Sequence, residues 1–119
     1  MVKLLLTHTR NDITKPWVIV NAETTHSDMF TPQEINILMA TKSAIDSLTG
    51  LSGTTESFPD NNTYVIEMQF DTLVNAQNAK QVIDNPLENS LWELRRLLLR
   101  NKRMEILGEP YTVETSIVE

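Results

Sequence analysis

LSGTTESFPDNNTYVIEMQF, residues 51–70, decides the fold. Pro59, Asp60 and Asn61 supply a turn, because proline presets one backbone dihedral and Asp and Asn tolerate the tight geometry that follows. The flanking segments therefore return on each other as a hairpin. In the second, Tyr64, Ile66, Met68 and Phe70 alternate with Val65, Glu67 and Gln69, so one face meets a core and the other meets water.

A helix precedes this hairpin and another follows it. In FTPQEI, residues 30–35, Thr31 is a good N-cap, Pro32 suits the first helical position and Glu34 completes a capping box, with Phe30 and Ile35 as a hydrophobic staple. The apolar pattern runs on through Leu38, Ala44, Ile45 and Leu48 to Gly50, which predicts a helix from Pro32 to Gly50. After the hairpin, Asp71 is the expected cap of a second helix whose stripe is Thr72, Ala76, Ala79 and Ile83, ending before Pro86. Asn85 and Glu88 repeat the cap logic around Pro86 and predict a third helix, with Leu87, Leu91, Leu94 and Leu98 as its core stripe.

Short apolar or alternating segments at both ends read as strands: VKLLLTHT at 2–9 and YTVETSIVE at 111–119, with WVIV at 17–20 as a further extended piece. The order strand, helix, strand, strand, helix, strand predicts an α+β fold, an antiparallel sheet with helices packed on one face. This is a ferredoxin-like sandwich with an extra N-terminal hairpin-like piece and an extra C-terminal helix. With 119 residues, 1–119 is expected to form a single domain.

Composition narrows the chemistry. There is no cysteine, so disulfides, thiol nucleophiles and thiolate metal sites are all excluded. The apolar run at the start ends at Thr7, too short for a signal-peptide core or a spanning helix, and the expected location is the virion or the cytoplasm rather than secretion by a signal peptide. No G-x-S-x-G, H-E-x-x-H or Walker loop is present. His8 shares a strand face with Leu4 and Leu6 and reads as a hydrogen-bonded histidine at the core edge, whereas His26 lies two residues from Asp28 in a polar loop, a poor metal site without a third ligand. The expectation is a non-enzyme with no cofactor and no metal.

The sheet's open face, expected to carry Thr54, Glu56, Val65, Glu67, Gln69, Thr112, Glu114 and Ser116, is polar and acidic and lacks the aromatics and positive charge of RNA-recognition sheets. Val65, Phe58 and Val118 could form a small apolar patch on it. That patch keeps open an alternative, a small dimeric α+β-barrel enzyme of the monooxygenase-like class, which buries its open face against a partner sheet. A phosphate-cradling loop after the first strand is excluded, because the three glycines are Gly50, Gly53 and Gly108.

The remaining signal is LWELRRLLLRNKR, residues 91–103. Arg95, Arg96, Arg100, Lys102 and Arg103 crowd into nine positions of a chain whose net charge is −6, so the rest of the chain carries −11. At about 100° per residue, Trp92 and Leu99 point away from the leucine stripe, with Arg96 and Arg103 beside them. Three readings compete: cations complementing a helix C-terminus, with Arg96 stacked on Trp92; a protein-docking surface, since Trp and Arg dominate binding hot spots; and a weak nucleic-acid grip, opposed by the acidic remainder. The second predicts an interface of Trp92, Arg96, Leu99 and Arg103, rimmed by Arg95, Arg100 and Lys102.

A strand ending Thr9-Arg10, Trp17 shortly after, a capped helix, and a strand ending Phe70-Asp71 before a helix bearing Ala76 and Ala79 together resemble small virion structural proteins of tailed bacteriophages. The likeness covers roughly two-thirds of the chain and leaves the basic third helix outside it. It implies a non-catalytic assembly role, with other proteins, including copies of this chain, as partners, no membrane, and no catalytic residues to transfer.

Overall fold

A computed structural model describes residues 1–10, 30–60, 62–107 and 111–119. The elements are β1 (Val2–Thr9), α1 (Pro32–Asp46), β2 (Leu51–Asp60), β3 (Thr63–Phe70), α2 (Leu73–Asp84), α3 (Leu91–Leu107) and β4 (Thr112–Val118). The strands form one antiparallel sheet in the order β2-β3-β1-β4, so the class is α+β. Each helical crossover carries the chain to a non-neighbouring strand, the split arrangement expected from the element order. The helix α3 is the addition, inserted between α2 and β4. Trp17–Val20, the expected N-terminal hairpin-like piece, and His26 lie outside the described residues. Among the described residues no helix is long and apolar enough to cross a membrane.

Local chemistry sets the helix starts. Thr31 Oγ1 accepts the Glu34 amide at 3.2 Å while Glu34 Oε1 accepts the Thr31 amide at 2.8 Å, closing the capping box. The helix ends at Asp46, not at Gly50. Gly50 instead takes φ +79° at the entry to β2, where a Cβ would lie 2.1 Å from Asp71 Oδ1, and its carbonyl accepts the Asp71 amide at 3.0 Å. The cap of α2 is Thr72 rather than Asp71: Thr72 Oγ1 accepts the Asn75 amide at 3.2 Å, and Asp71 accepts from the Asn75 side chain at 2.8 Å. Nor does α3 begin around Pro86. Asn85 closes α2, residues 85–90 form a turn with Asn89 at φ +62°, and Ser90 Oγ accepts the Glu93 amide at 3.3 Å to start α3. Leu87, left on that turn, is 80% exposed and belongs to no core.

The packed end of the core joins Leu4, Met68 and Phe70 of the sheet to Ala76 and Ala79 of α2, where small side chains let the helix come close. Helix α2 packs on β1, β3 and β4, while α1 packs chiefly against α3. The register corrects the open face. A bulge between Leu51 and Gly53 shifts β2 by one residue, so Thr54 pairs with Met68 and Glu56 with Ile66, on the helix side. Phe58 also lies on that side, stacked on Tyr64 at 5.2 Å between ring centres. Val65, Glu67, Gln69, Thr112, Glu114 and Ser116 occupy the open face as expected. There Lys3 approaches Glu67 at 3.5 Å, and a hydrogen bond from Gln69 together with Lys3 holds the Glu67 carboxyl below its ordinary range.

Candidate functional site

The helices do not cover the sheet evenly. Because α1 leans on α3 rather than on the strands, a cavity of about 920 Å³ remains between the two helices, the end of α2 and the sheet. Its sheet wall is apolar where Leu6, Ile66 and Met68 project, and aromatic beyond, where His8, Tyr64 and Tyr111 meet. Ile45 enters from α1, and Trp92, Arg95, Arg96, Leu99 and Arg100 enter from α3.

The aromatic wall is built across strands. His8 is buried opposite Tyr64 in the β1–β3 register, and their rings stack at 4.9 Å; the Tyr111 ring lies 5.9 Å from His8 on the other side. His8 Nδ1 is 3.1 Å from the Tyr64 carbonyl oxygen. A carbonyl only accepts, so Nδ1 carries the hydrogen and the imidazole orientation is fixed. This agrees with the reading of His8 as a hydrogen-bonded histidine beside the core. Among the described residues no cluster of His, Asp and Glu is disposed to hold a metal ion.

The α3 residues need a correction. Leu99 does not point outward; it is 8% exposed and packs with Phe30 and Leu38. Trp92 is half-buried and faces the cavity. Arg95 Nη1 donates to the Leu38 carbonyl at 3.3 Å and to Thr41 Oγ1 at 3.1 Å, bracing α3 against α1. Lys102 sits over the Phe30 ring at 5.6 Å and 3.9 Å from Glu105. Arg96 and Arg100 line the cavity at its exposed edge. Arg103 belongs to α3, and its side chain lies outside what is described. The inner stripe of α3 is thus Trp92, Arg95, Leu99 and Lys102, spaced three, four and three apart, and Leu94 and Leu97 face out. Leucines at 94, 97, 98 and 99 surround the helix, so hydrophobic period alone could not choose between faces.

Asp84 closes the cavity at the end of α2. Burial pushes its carboxyl up, but hydrogen bonds from Lys80 and from Thr115 Oγ1, the latter 2.6 Å long, outweigh burial together with the Lys80 charge and leave it below the ordinary aspartate range. A carboxyl depressed in the folded state contributes stability that is complete above its unfolded pKa and disappears as pH falls through the folded value. Thr115→Val should therefore shrink the drop in urea midpoint seen on acidifying from neutrality to below about pH 4. An unchanged acid dependence would remove the Thr115–Asp84 bond from the account.

Sequence reasoning missed Tyr64, Tyr111, Ile66 and Ile45 as site residues, since they converge only in space. The one available signal was the shared face of His8 and Tyr64. Compared with protein-family models, with curated proteins and with solved structures, the chain gives no match in any of the three.

Proposed function

We propose that this chain is a binding protein that takes a small molecule with an apolar body into the cavity between its sheet and the α1–α3 pair. The observation that carries the reading is a space of about 920 Å³ with apolar and aromatic walls and a few convergent polar side chains. Ligand sites typically enclose about 300–1,000 Å³ and have this composition, mostly apolar lining with a small number of placed polar groups that fix orientation.

Titration with the uncharged fluorophore N-phenyl-1-naphthylamine tests this. Saturable one-to-one binding is expected, weakened at least about tenfold, or 1.4 kcal/mol, by Thr54→Trp. Thr54 is an exposed residue of β2 that lines the cavity, so a bulky side chain there obstructs the space without disturbing the packed core. Binding that never saturates, or that Thr54→Trp leaves unchanged, overturns the reading.

A second reading, assembly with copies of the same chain, is favoured by a separate observation. On the open face, Val65 and Val118 are the diagonal neighbours of Leu5, forming an apolar stripe across β3, β1 and β4. Sedimentation equilibrium should then give a concentration-dependent dimer that Leu5→Glu abolishes, and a monomer at all concentrations removes this reading.

A further inference from the structure

Two guanidinium groups at the cavity edge lack what every other basic side chain of its lining has. Lys42 is paired with Asp46 at 2.9 Å, and Arg95 is bonded to Thr41 and to the Leu38 carbonyl. Arg96 and Arg100 make no hydrogen bond or ion pair with another described residue. They stand four residues apart on α3, which makes them surface neighbours with about 5–6 Å between Cβ atoms, and like charges so placed repel. The carboxylates in the lining are Asp46, engaged by Lys42, Asp84, engaged by Lys80 and Thr115, and Glu56 on the edge strand β2, against the cations Lys42, Arg95, Arg96 and Arg100. The lining is therefore net positive in a chain whose overall charge is −6.

An anion seated between two adjacent guanidinium groups relieves their repulsion and receives charge-assisted hydrogen bonds, for which the planar fork of arginine suits carboxylate, sulfonate and phosphate alike. The sheet wall beside the two arginines is apolar, with Leu6 and Ile66 only partly buried, so an apolar body placed there leaves water. We propose that the cavity selects an anion with an apolar body, its charged group held by Arg96 and Arg100 and its body laid against Leu6 and Ile66. This rests on the cavity being a ligand site and adds the chemical class of the ligand.

The test compares two probes with one ring framework: 8-anilinonaphthalene-1-sulfonate, which carries an anion, and N-phenyl-1-naphthylamine, which does not. Apolar burial alone favours the uncharged probe, because a charge costs free energy to remove from water unless it is paired. The anion is expected to bind at least about tenfold more tightly, and in Arg96→Gln/Arg100→Gln that preference should vanish while affinity for the uncharged probe stays within about twofold. Both arginines are exposed, so the double variant should keep the urea midpoint of the parent chain. Equal affinity for the two probes, or a preference for the anion that survives the double substitution, overturns the inference while leaving the cavity a ligand site. Failure of both probes to saturate overturns the cavity reading itself and this inference with it.

Discussion

Replacing Phe70 by alanine should lower the free energy of unfolding by about 3–5 kcal/mol, the largest effect expected of any single substitution in this chain. Phe70 is fully buried at the end of β3, opposite Val2 of β1 and Leu51 of β2, and shares a cluster with Leu4, Met68, Ala76 and Ala79. Two of those neighbours are alanines on α2, whose short side chains cannot extend into the space an absent phenyl ring leaves. The cavity term therefore adds to the lost transfer free energy instead of being relieved by relaxation. Domains of this size are stable by about 5–15 kcal/mol, so the variant would sit near the edge of folding. Phe58→Ala supplies the contrast, because that ring is 47% exposed on an edge strand and its loss should cost no more than about 1 kcal/mol. Urea unfolding of the two variants measures the difference, and a cost for Phe70→Ala as small as that for Phe58→Ala would mean that β3 and α2 are not packed as described.

Features governed by neighbours in sequence were legible without coordinates. The reciprocal bonds of Thr31 and Glu34, the alternation of Tyr64 to Phe70 and the small-residue stripe of α2 each arise within a few residues, where local chemistry decides the outcome. The cap of α2 falls one residue later than expected because Asp71 and Thr72 are both competent acceptors, and the Asp71 carboxylate accepts from the Asn75 side chain while its amide donates to the Gly50 carbonyl. Strict alternation puts Thr54 and Glu56 on the wrong face because it ignores the bulge that Gly53, a glycine inside a strand, signals, and a shift of one residue reverses every side chain that follows. The candidate site was the least legible part of all. His8, Tyr64 and Tyr111 lie far apart in the chain and meet only once β1, β3 and the start of β4 are aligned. The basic cluster on α3 was visible, but its orientation depends on which partner the helix leans against, and that partner is α1.

The orientation of α3 is open to direct test, since it sets the roles of Leu99 and of the leucines beside it. Leu99→Ala should cost about 2–4 kcal/mol of folding stability, whereas Leu94→Ala and Leu97→Ala should each cost no more than about 1 kcal/mol. Leu99 fills the contact between α3 and α1, against Phe30 and Leu38, while Leu94 and Leu97 stand 39% and 44% exposed. The upper end of the range for leucine truncation is not expected, because Leu99 also borders the cavity and already lacks neighbours on that side. Its loss would still loosen α3 from α1, leaving the Arg95 bonds to Thr41 and Leu38 as the remaining polar brace between the two helices. Had α3 presented Trp92 and Leu99 outward, truncating Leu99 would instead weaken association with a partner and leave the isolated chain's stability nearly unchanged. Urea midpoints and sedimentation on the same three variants separate these outcomes: a stability loss confined to Leu94 and Leu97, with Leu99 neutral, would turn the helix by nearly half a revolution and take Trp92 and Arg95 off its inner face.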